Sequence, residues 1–200
     1  PPLARLREEI AGRRSLAPSS PVHFLADSPR IRRSSAMTAY ARAAVDPGMS
    51  ACAAVKALGE AIHRDFAYDP EATDVDTPPE TAFGQRRGVC QDFAQVMIAC
   101  LRGIGVPAGY VSGFLRTIPP PGKPRLEGAD AMHAWVRAWC GDELGWVEYD
   151  PTNALVVAAD HIVVARGRDY GDVAPVKGVM RIAGGQEVSQ AVDVVPLPEG

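Results

Sequence analysis

The strongest pattern in the chain lies in residues 89–104, VCQDFAQVMIACLRGI. Its apolar residues recur three and four positions apart, which is the spacing of one face of an α-helix. Gly103 and Gly105 are typical of a helix C-terminus, and Pro107 prevents the helix from continuing. The pattern therefore predicts an amphipathic helix that begins at Cys90 and buries its apolar face.

Predicted helices lie before this segment, and predicted strands follow it. Alanine-rich helical patterns cover residues 35–45 and 49–66. The strand candidates are residues 108–117, 132–139, 145–150, 162–165, 176–182 and 188–195. Because the helices precede the strands instead of alternating with them, we predict an α+β fold in which N-terminal helices pack on an antiparallel β-sheet.

Composition and charge exclude several classes of protein. The 200 residues are 46% hydrophobic and 22% charged, with a net charge of −3, and these values are close to the averages for soluble globular domains. The mild acidity argues against nucleic-acid binding, and no apolar run approaches the roughly 18 residues needed to span a bilayer. Since the N-terminus carries no apolar signal-peptide core, we expect no membrane partner and a cytoplasmic location.

Residues 1–35 differ from the rest of the chain in charge. They carry seven arginines against three acidic residues, and prolines interrupt them. Such a segment is typical of a solvated linker. Since the chain begins at Pro1 rather than at methionine, we predict that residues 1–35 are a basic linker or the remnant of a missing N-terminal domain. Residues 36–200 are then the main domain.

Cys90 is the candidate nucleophile because of its place at the start of the predicted helix. A thiolate there meets unpaired backbone N–H groups and the positive end of the helix dipole, which lowers the pKa of the thiol from about 8.5. Two arginines immediately upstream would add to this effect. The other cysteines, Cys52, Cys100 and Cys140, form no CxxC pair. We expect them to be small buried side chains rather than parts of a disulfide framework or a structural zinc site.

A cysteine nucleophile needs a base and an acid that orients the base, and a predicted hairpin supplies both. If Gly141 and Asp142 form a two-residue type II′ turn, cross-strand partners have numbers that sum to 283. His133 then lies opposite Asp150, although a longer loop would change this register. We therefore predict that His133 is the base and that Asp150 is its orienting acid.

Four ordered sequence blocks resemble those of the bacterial transglutaminase-like cysteine protease family. The blocks are residues 88–94 GVCQDFA, 105–113 GVPAGYVSG, 133–135 HAW and 146–152 WVEYDPT, with a later match at 167–173 GRDYGDV. The resemblance covers most of residues 36–200 and implies a papain-like catalytic domain there. It also implies that Cys90, His133 and Asp150 form a Cys–His–Asp triad. The basic segment would end an N-terminal β domain, absent here, that packs on the core.

These residues predict a thiol-dependent enzyme that cleaves a peptide or amide bond by acyl transfer, with a peptide or protein substrate and no cofactor. The backbone N–H of Cys90 is one oxyanion donor, and Gln85 or Gln91 is the candidate second donor. Trp135, in the HAW block, is a candidate substrate contact. Two other functions are possible on the same fold. One is amine transfer to glutamine by a transglutaminase, and the other is non-catalytic binding of a peptide.

The sequence gives less support to three other kinds of site: a zinc site, a catalytic base at His161 and a calcium-binding loop. Zinc bound by the three triad residues is chemically possible, but their positions suit a nucleophilic relay better, and we expect no metal. His161 is a second histidine that could serve as base. We expect it to have a surface or structural role, since no acid that would orient it is evident. The acidic residues of loop 68–79 are too irregularly spaced for an EF-hand.

Overall fold

The computed structural model describes residues 1–117, 130–175, 178 and 191–197. The helices are α1 Leu3–Ala11, α2 Ser35–Ala44, α3 Ala51–Asp65, α4 Pro79–Gln85, α5 Cys90–Gly103 and α6 Tyr170–Val173, with a short 3-10 helix at Pro21–Phe24. The strands are β1 Ala67–Tyr68, β2 Arg87–Gly88, β3 Ala108–Leu115, β4 Met132–Trp139, β5 Trp146–Asp150, β6 Leu155–Val156 and β7 His161–Gly167.

Five of these strands form an antiparallel sheet in the order β6-β5-β4-β3-β7, and β1 and β2 form a separate parallel pair. The predicted α+β fold with an antiparallel sheet is therefore confirmed. The strand candidate at 176–182 lies outside the described residues apart from residue 178. The described part of the candidate at 188–195, residues 191–195, is not a strand.

Helix α5 lies at the centre of the fold, between the other helices and the sheet. It contacts α2, α3 and α4 as well as β3 and β4. Every residue from Asp92 to Arg102 is buried. The predicted helix is confirmed, but it is buried on all sides because helices cover the face that is turned away from the sheet. Within the described residues, no helix is both long enough and apolar enough to cross a membrane.

The N-terminal segment packs into the same core rather than forming the solvated linker that we predicted. Leu6 and Ile31 are fully buried, and Ile10 is nearly so. Leu6 and Ile10 lie one turn apart on α1 and share one apolar face, so this helix packs in spite of its arginines. The backbone N–H of Ala51 also donates a hydrogen bond of 2.8 Å to the carbonyl of Pro1. This segment is thus part of the packed fold.

The β4–β5 hairpin has a longer loop than the two-residue turn that we predicted. Trp139 pairs with Trp146, so partner numbers sum to 285, and the predicted register is wrong. The cause is a four-residue loop, which begins at Gly141 with a φ of 99°, a conformation that favours glycine. A shift of two residues keeps each side chain on its own face of the sheet. His133 and Asp150 therefore become diagonal neighbours, which a histidine side chain can still bridge.

Candidate active site

The turn before α5 is fixed by the buried carboxylate of Asp92. Its Oδ2 atom accepts hydrogen bonds from the Val89 backbone N–H at 2.8 Å and from the Thr73 hydroxyl at 2.6 Å. Glycine is required at Gly88, because a Cβ atom there would contact the Asp92 carboxylate. These contacts place Cys90 in the first turn of α5, where backbone N–H groups are unpaired. We did not predict this role of Asp92, although an acidic residue three positions after a helix N-cap signals it.

Asp150 lies at the end of β5 with no exposed surface. Its Oδ2 atom accepts hydrogen bonds from Nε2 of His133 at 2.7 Å, from Nε2 of His161 at 3.0 Å and from the Asn153 side-chain amide at 2.7 Å. Its Oδ1 atom accepts from the backbone N–H groups of Thr152 and Asn153. Burial alone would raise the pKa of Asp150, but the hydrogen bonds from His133 and His161 outweigh burial and lower the pKa below its ordinary value. The carboxylate is therefore both charged and oriented.

The second side-chain partner of His133 is Cys90, with which it forms a hydrogen bond. Since Nε2 is directed at Asp150, Nδ1 is the nitrogen left for the thiol. Cys90 and His133 line one cavity of about 670 Å³. Burial by itself would lower the pKa of His133, but its hydrogen bonds with Asp150 and Cys90 outweigh burial and raise the pKa to about 9. The ring is thus held protonated beside the thiol at neutral pH.

We expect His133 to keep its proton to a higher pH than a free histidine does. Because the native pKa is raised, the stabilisation from this proton is complete below a pH of about 6.5 and is lost as the pH rises through about 9. Nuclear magnetic resonance titration of the isotope-labelled histidines, of which the chain has four, measures the midpoint. In Cys90→Ala, which removes one favourable partner, the midpoint should fall by about one unit. A midpoint near 6.5 in both proteins would contradict the pairing.

The two glutamines predicted as oxyanion donors lie in different surroundings. Gln85 is exposed at the end of α4 and lines a separate concavity with Asp69. The side-chain amide of Gln91 donates a hydrogen bond of 3.0 Å to the carbonyl of Val75. Neither glutamine lines the cavity beside Cys90. The second oxyanion donor therefore stays a prediction.

Trp135 has no exposed surface and packs against both histidines. Its ring centroid lies 6.0 Å from that of His133 and 5.1 Å from that of His161. Its Nε1–H donates a hydrogen bond of 2.8 Å to Glu148. Gly113 makes room for the indole, since a Cβ atom there would lie 2.6 Å from Cη2 of Trp135. The structure thus gives Trp135 a supporting position, and its contact with substrate stays a prediction.

His161, for which we expected a surface or structural role, is buried against the predicted triad. Its side chain is 3% exposed and bonds to Asp150. An acid that orients this histidine therefore does exist. No local pattern could have revealed the contact, because the loop after β5 has to fold back before β7 begins.

Three donor atoms of His133, Asp150 and His161 lie within 4.8 Å of one another, a spacing that a metal ion could also use. Both histidines, however, direct Nε2 at the same carboxylate oxygen, and each of those nitrogens must carry a proton to bond to it. A metal ion would have to replace both protons. The two hydrogen bonds to Asp150 therefore account for the close approach of these three side chains.

A cysteine at a helix N-terminus that meets a histidine–aspartate pair on an antiparallel sheet is the arrangement of papain-like thiol enzymes. Residues 38–151 match the family model of the transglutaminase-like superfamily, and this is more than half of the 200-residue chain. The chain belongs to this superfamily. The resemblance seen in its sequence blocks is therefore confirmed.

Two curated relatives and one solved structure show how far the similarity extends. An uncharacterised protein of Mycobacterium tuberculosis (strain ATCC 25618 / H37Rv) is 42% identical over 166 residues, which cover 81% of this chain and 53% of that protein. A protein-glutamine gamma-glutamyltransferase of Pseudomonas aeruginosa is 37% identical over 120 residues, which cover 56% of this chain and 18% of that protein. A crystal structure of a candidate cysteine protease from Cytophaga hutchinsonii has a TM-score of 0.63 at 28% identity, and the match covers 76% of this chain and 48% of that one. The chain thus spans about half the length of the mycobacterial relative.

Proposed function

We propose that the protein is a thiol-dependent acyl-transfer enzyme that cleaves a peptide or amide bond through Cys90, His133 and Asp150. One observation carries the proposal: the His133 ring meets a thiol on one side and a buried carboxylate, at 2.7 Å, on the other. A nucleophile, a base and a third group that orients the base, in this order, form the arrangement that enzymes use for covalent acyl transfer. Membership of the transglutaminase-like superfamily supports the same chemistry.

In the first half of the reaction, the Cys90 thiolate attacks the carbonyl carbon of the substrate amide. The carbonyl oxygen becomes negatively charged, and backbone N–H groups at the start of α5, that of Cys90 among them, stabilise it. His133 then donates the proton on Nδ1 to the leaving amine, and the carbon–nitrogen bond breaks. The product is a thioester between Cys90 and the acyl group.

In the second half of the reaction, the oxygen of a water molecule attacks the thioester carbonyl while His133 takes a proton from that water. The carbon–sulfur bond breaks, and a carboxylic acid leaves. This step restores the pair of thiolate and imidazolium. Asp150 stays charged throughout and stabilises the imidazolium each time it forms.

The cavity beside Cys90 favours a peptide that presents an apolar residue. Much of its wall consists of the apolar side chains of Leu115, Met132, Leu155 and Val156. Arg116 and Asp160 also line the cavity, and they form an ion pair of 2.6 Å. Because these two charges neutralise each other, they give the cavity no preference for a charged side chain. We therefore propose an apolar side chain of the substrate as the group that enters it.

Alkylation tests whether the thiol of Cys90 is activated. Iodoacetamide at about pH 6 should modify Cys90 before the other three cysteines. Burial raises the pKa of the Cys100 thiol to about 12 and that of Cys140 to about 12, so both should stay unmodified. Cys52 is partly exposed, as Cys90 is, and controls for accessibility. Mass spectrometry of the peptides gives the order, and equal labelling of Cys52 and Cys90 would argue against an activated thiolate.

Hydrolysis and amine transfer share the thioester and differ in the group that resolves it. We favour hydrolysis because the similarity to the candidate cysteine protease of Cytophaga hutchinsonii covers 76% of this chain. The name of the Pseudomonas aeruginosa relative favours amine transfer. A glutamine-containing peptide supplied with a primary amine separates the two reactions, and we expect mass spectrometry to show cleavage or deamidation. Efficient incorporation of the amine would instead assign transglutaminase activity.

A further inference from the structure

Two imidazole rings share one oxygen atom in this site. His133 and His161 each direct Nε2 at Oδ2 of Asp150, at 2.7 Å and 3.0 Å. Their ring centroids lie 5.9 Å apart. Because the carboxylate is fully buried, its single charge can balance one imidazolium but not two.

The two rings differ in the surroundings of their second nitrogen. His133 has a second partner in Cys90. Nδ1 of His161, in contrast, is buried and has no hydrogen-bond partner in the described part of the chain. A proton on that nitrogen would be a buried donor without an acceptor, which is unfavourable. The geometry therefore favours the tautomer of His161 in which Nε2 carries the proton and donates to Asp150.

His161 lies in the wall of the cavity beside Cys90, but it exposes almost none of its side chain there. Its side chain is 3% exposed, and its Nδ1 atom is buried. The edge of Trp135 packs against the ring at 5.1 Å between centroids and 81° between planes, which fixes its orientation. Since the side chain of His161 bonds to Asp150, we expect its effect on the reaction to pass through that carboxylate.

We propose that His161 is a positioning residue for the Cys90–His133 pair. It holds the Asp150 carboxylate toward His133, and it stabilises this carboxylate whenever His133 gives up its proton. Each time His133 protonates the leaving amine, Asp150 becomes a buried charge without its cation. The Nε2–H of His161 then stabilises that charge at 3.0 Å, together with the other N–H donors to the carboxylate. For its effect on turnover, this inference rests on the function proposed above.

The other charged or titratable groups around this network come from several elements. Among the described residues they are Cys90 on α5, Tyr68 on β1, Tyr149 next to Asp150 on β5, the Glu148–Arg166 pair between β5 and β7 with Arg137 beside it, and the Arg116–Asp160 pair beside the cavity. Each of the two ion pairs is internally balanced, and neither involves His161. A change in the titration of His133 in a His161 variant therefore reports the loss of the His161 N–H group.

Two substitutions separate hydrogen-bond donation from packing. His161→Phe fills similar space without an N–H group, whereas the amide of His161→Gln can place an N–H near the position of Nε2. We expect the titration midpoint of His133 to rise by about half to one unit in His161→Phe, because proton loss leaves Asp150 less stabilised. In His161→Gln the midpoint should stay within about 0.2 unit of wild type. On a peptide substrate, kcat should fall about tenfold in His161→Phe with KM unchanged and recover in His161→Gln.

The proposal is overturned if His161→Phe leaves the midpoint of His133 unchanged or lowers it, or if both variants shift it equally. The titration needs no substrate, so a failure to cleave any peptide would count against the proposed function and not against this role. If His161→Phe does not fold, the tautomer of His161 in the wild-type protein tests the proposal instead. Its nuclear magnetic resonance spectrum at about pH 8 should show the His161 proton on Nε2, and a proton on Nδ1 would overturn the proposal.

Discussion

Replacing Cys90 with alanine is expected to abolish turnover and to leave the fold intact. Without the sulfur atom no thioester forms, and removal of a catalytic nucleophile lowers kcat by about 10⁵-fold or more. Alanine is a good helix former, and the contacts of Asp92 that fix the turn do not involve the thiol. The measurement is kcat on a peptide substrate together with the midpoint of thermal unfolding.

Cys52→Ala is the matched control for this substitution. Cys52 is the second residue of α3, so its thiol also lies at a helix N-terminus, and it is also partly exposed. If Cys52→Ala keeps full activity and Cys90→Ala has none, a position at a helix N-terminus is not enough to make a thiol catalytic. The contact of Cys90 with His133 then accounts for the activity. If Cys90→Ala retains every effect of the protein, the non-catalytic peptide-binding module is the better description.

The central helix and its cysteine could be predicted because their signals are local. The apolar spacing of residues 89–104 and the stop at Pro107 fixed the extent of α5 to within a residue or two. The contact between His133 and Asp150 was also predicted, but from a wrong register. It survives because a shift of two residues changes which side chains lie directly opposite and leaves them on the same face of the sheet.

Two other features were not predicted. The first depends on the path of a loop, which local sequence patterns do not show, and for the second we gave charge more weight than apolar spacing. The contact of His161 with Asp150 depends on how the loop between β5 and β7 folds back, and no periodicity encodes that path. In residues 1–35, arginine content suggested a solvated linker, although Leu6 and Ile10 at helical spacing pointed to a packed helix. The charged side chains of α1 lie on its exposed side, whereas Leu6 and Ile10 lie on the side that packs against the core.

Asp150→Asn is expected to lower both stability and turnover. The carboxylate accepts hydrogen bonds on both oxygens, so the NH₂ group of asparagine must face N–H donors in either orientation. Each buried donor left without an acceptor costs about 1–3 kcal/mol, and we expect the free energy of unfolding to fall by about 2–4 kcal/mol. The charge that stabilises the His133 imidazolium is also lost, so kcat should fall by about 10-fold to 1,000-fold, less than the roughly 10⁴-fold loss in a serine protease triad because an amide can still orient the ring.

The loss of stability in Asp150→Asn should itself depend on pH. Although burial alone would raise the pKa of Asp150, its hydrogen bonds with His133 and His161 lower the pKa below the ordinary 3.8. The stabilisation that the charged form provides is therefore present above pH 3.8 and is lost as the pH falls through the native pKa. The difference in stability between wild type and variant should shrink in strong acid. Unfolding in denaturant at neutral and acidic pH measures it.

Asp169→Asn is the matched control for Asp150→Asn. Asp169 is also a fully buried carboxylate that accepts hydrogen bonds from backbone N–H groups, from Arg30 at 2.8 Å and from Gly171 at 2.8 Å. It lies beyond the end of β7 that is opposite His161. Asp169→Asn should therefore lose stability and keep the kcat of the wild type. If Asp150→Asn keeps full activity while a folded Asp169→Asn is inactive, a different carboxylate orients His133 and the triad assigned here is wrong.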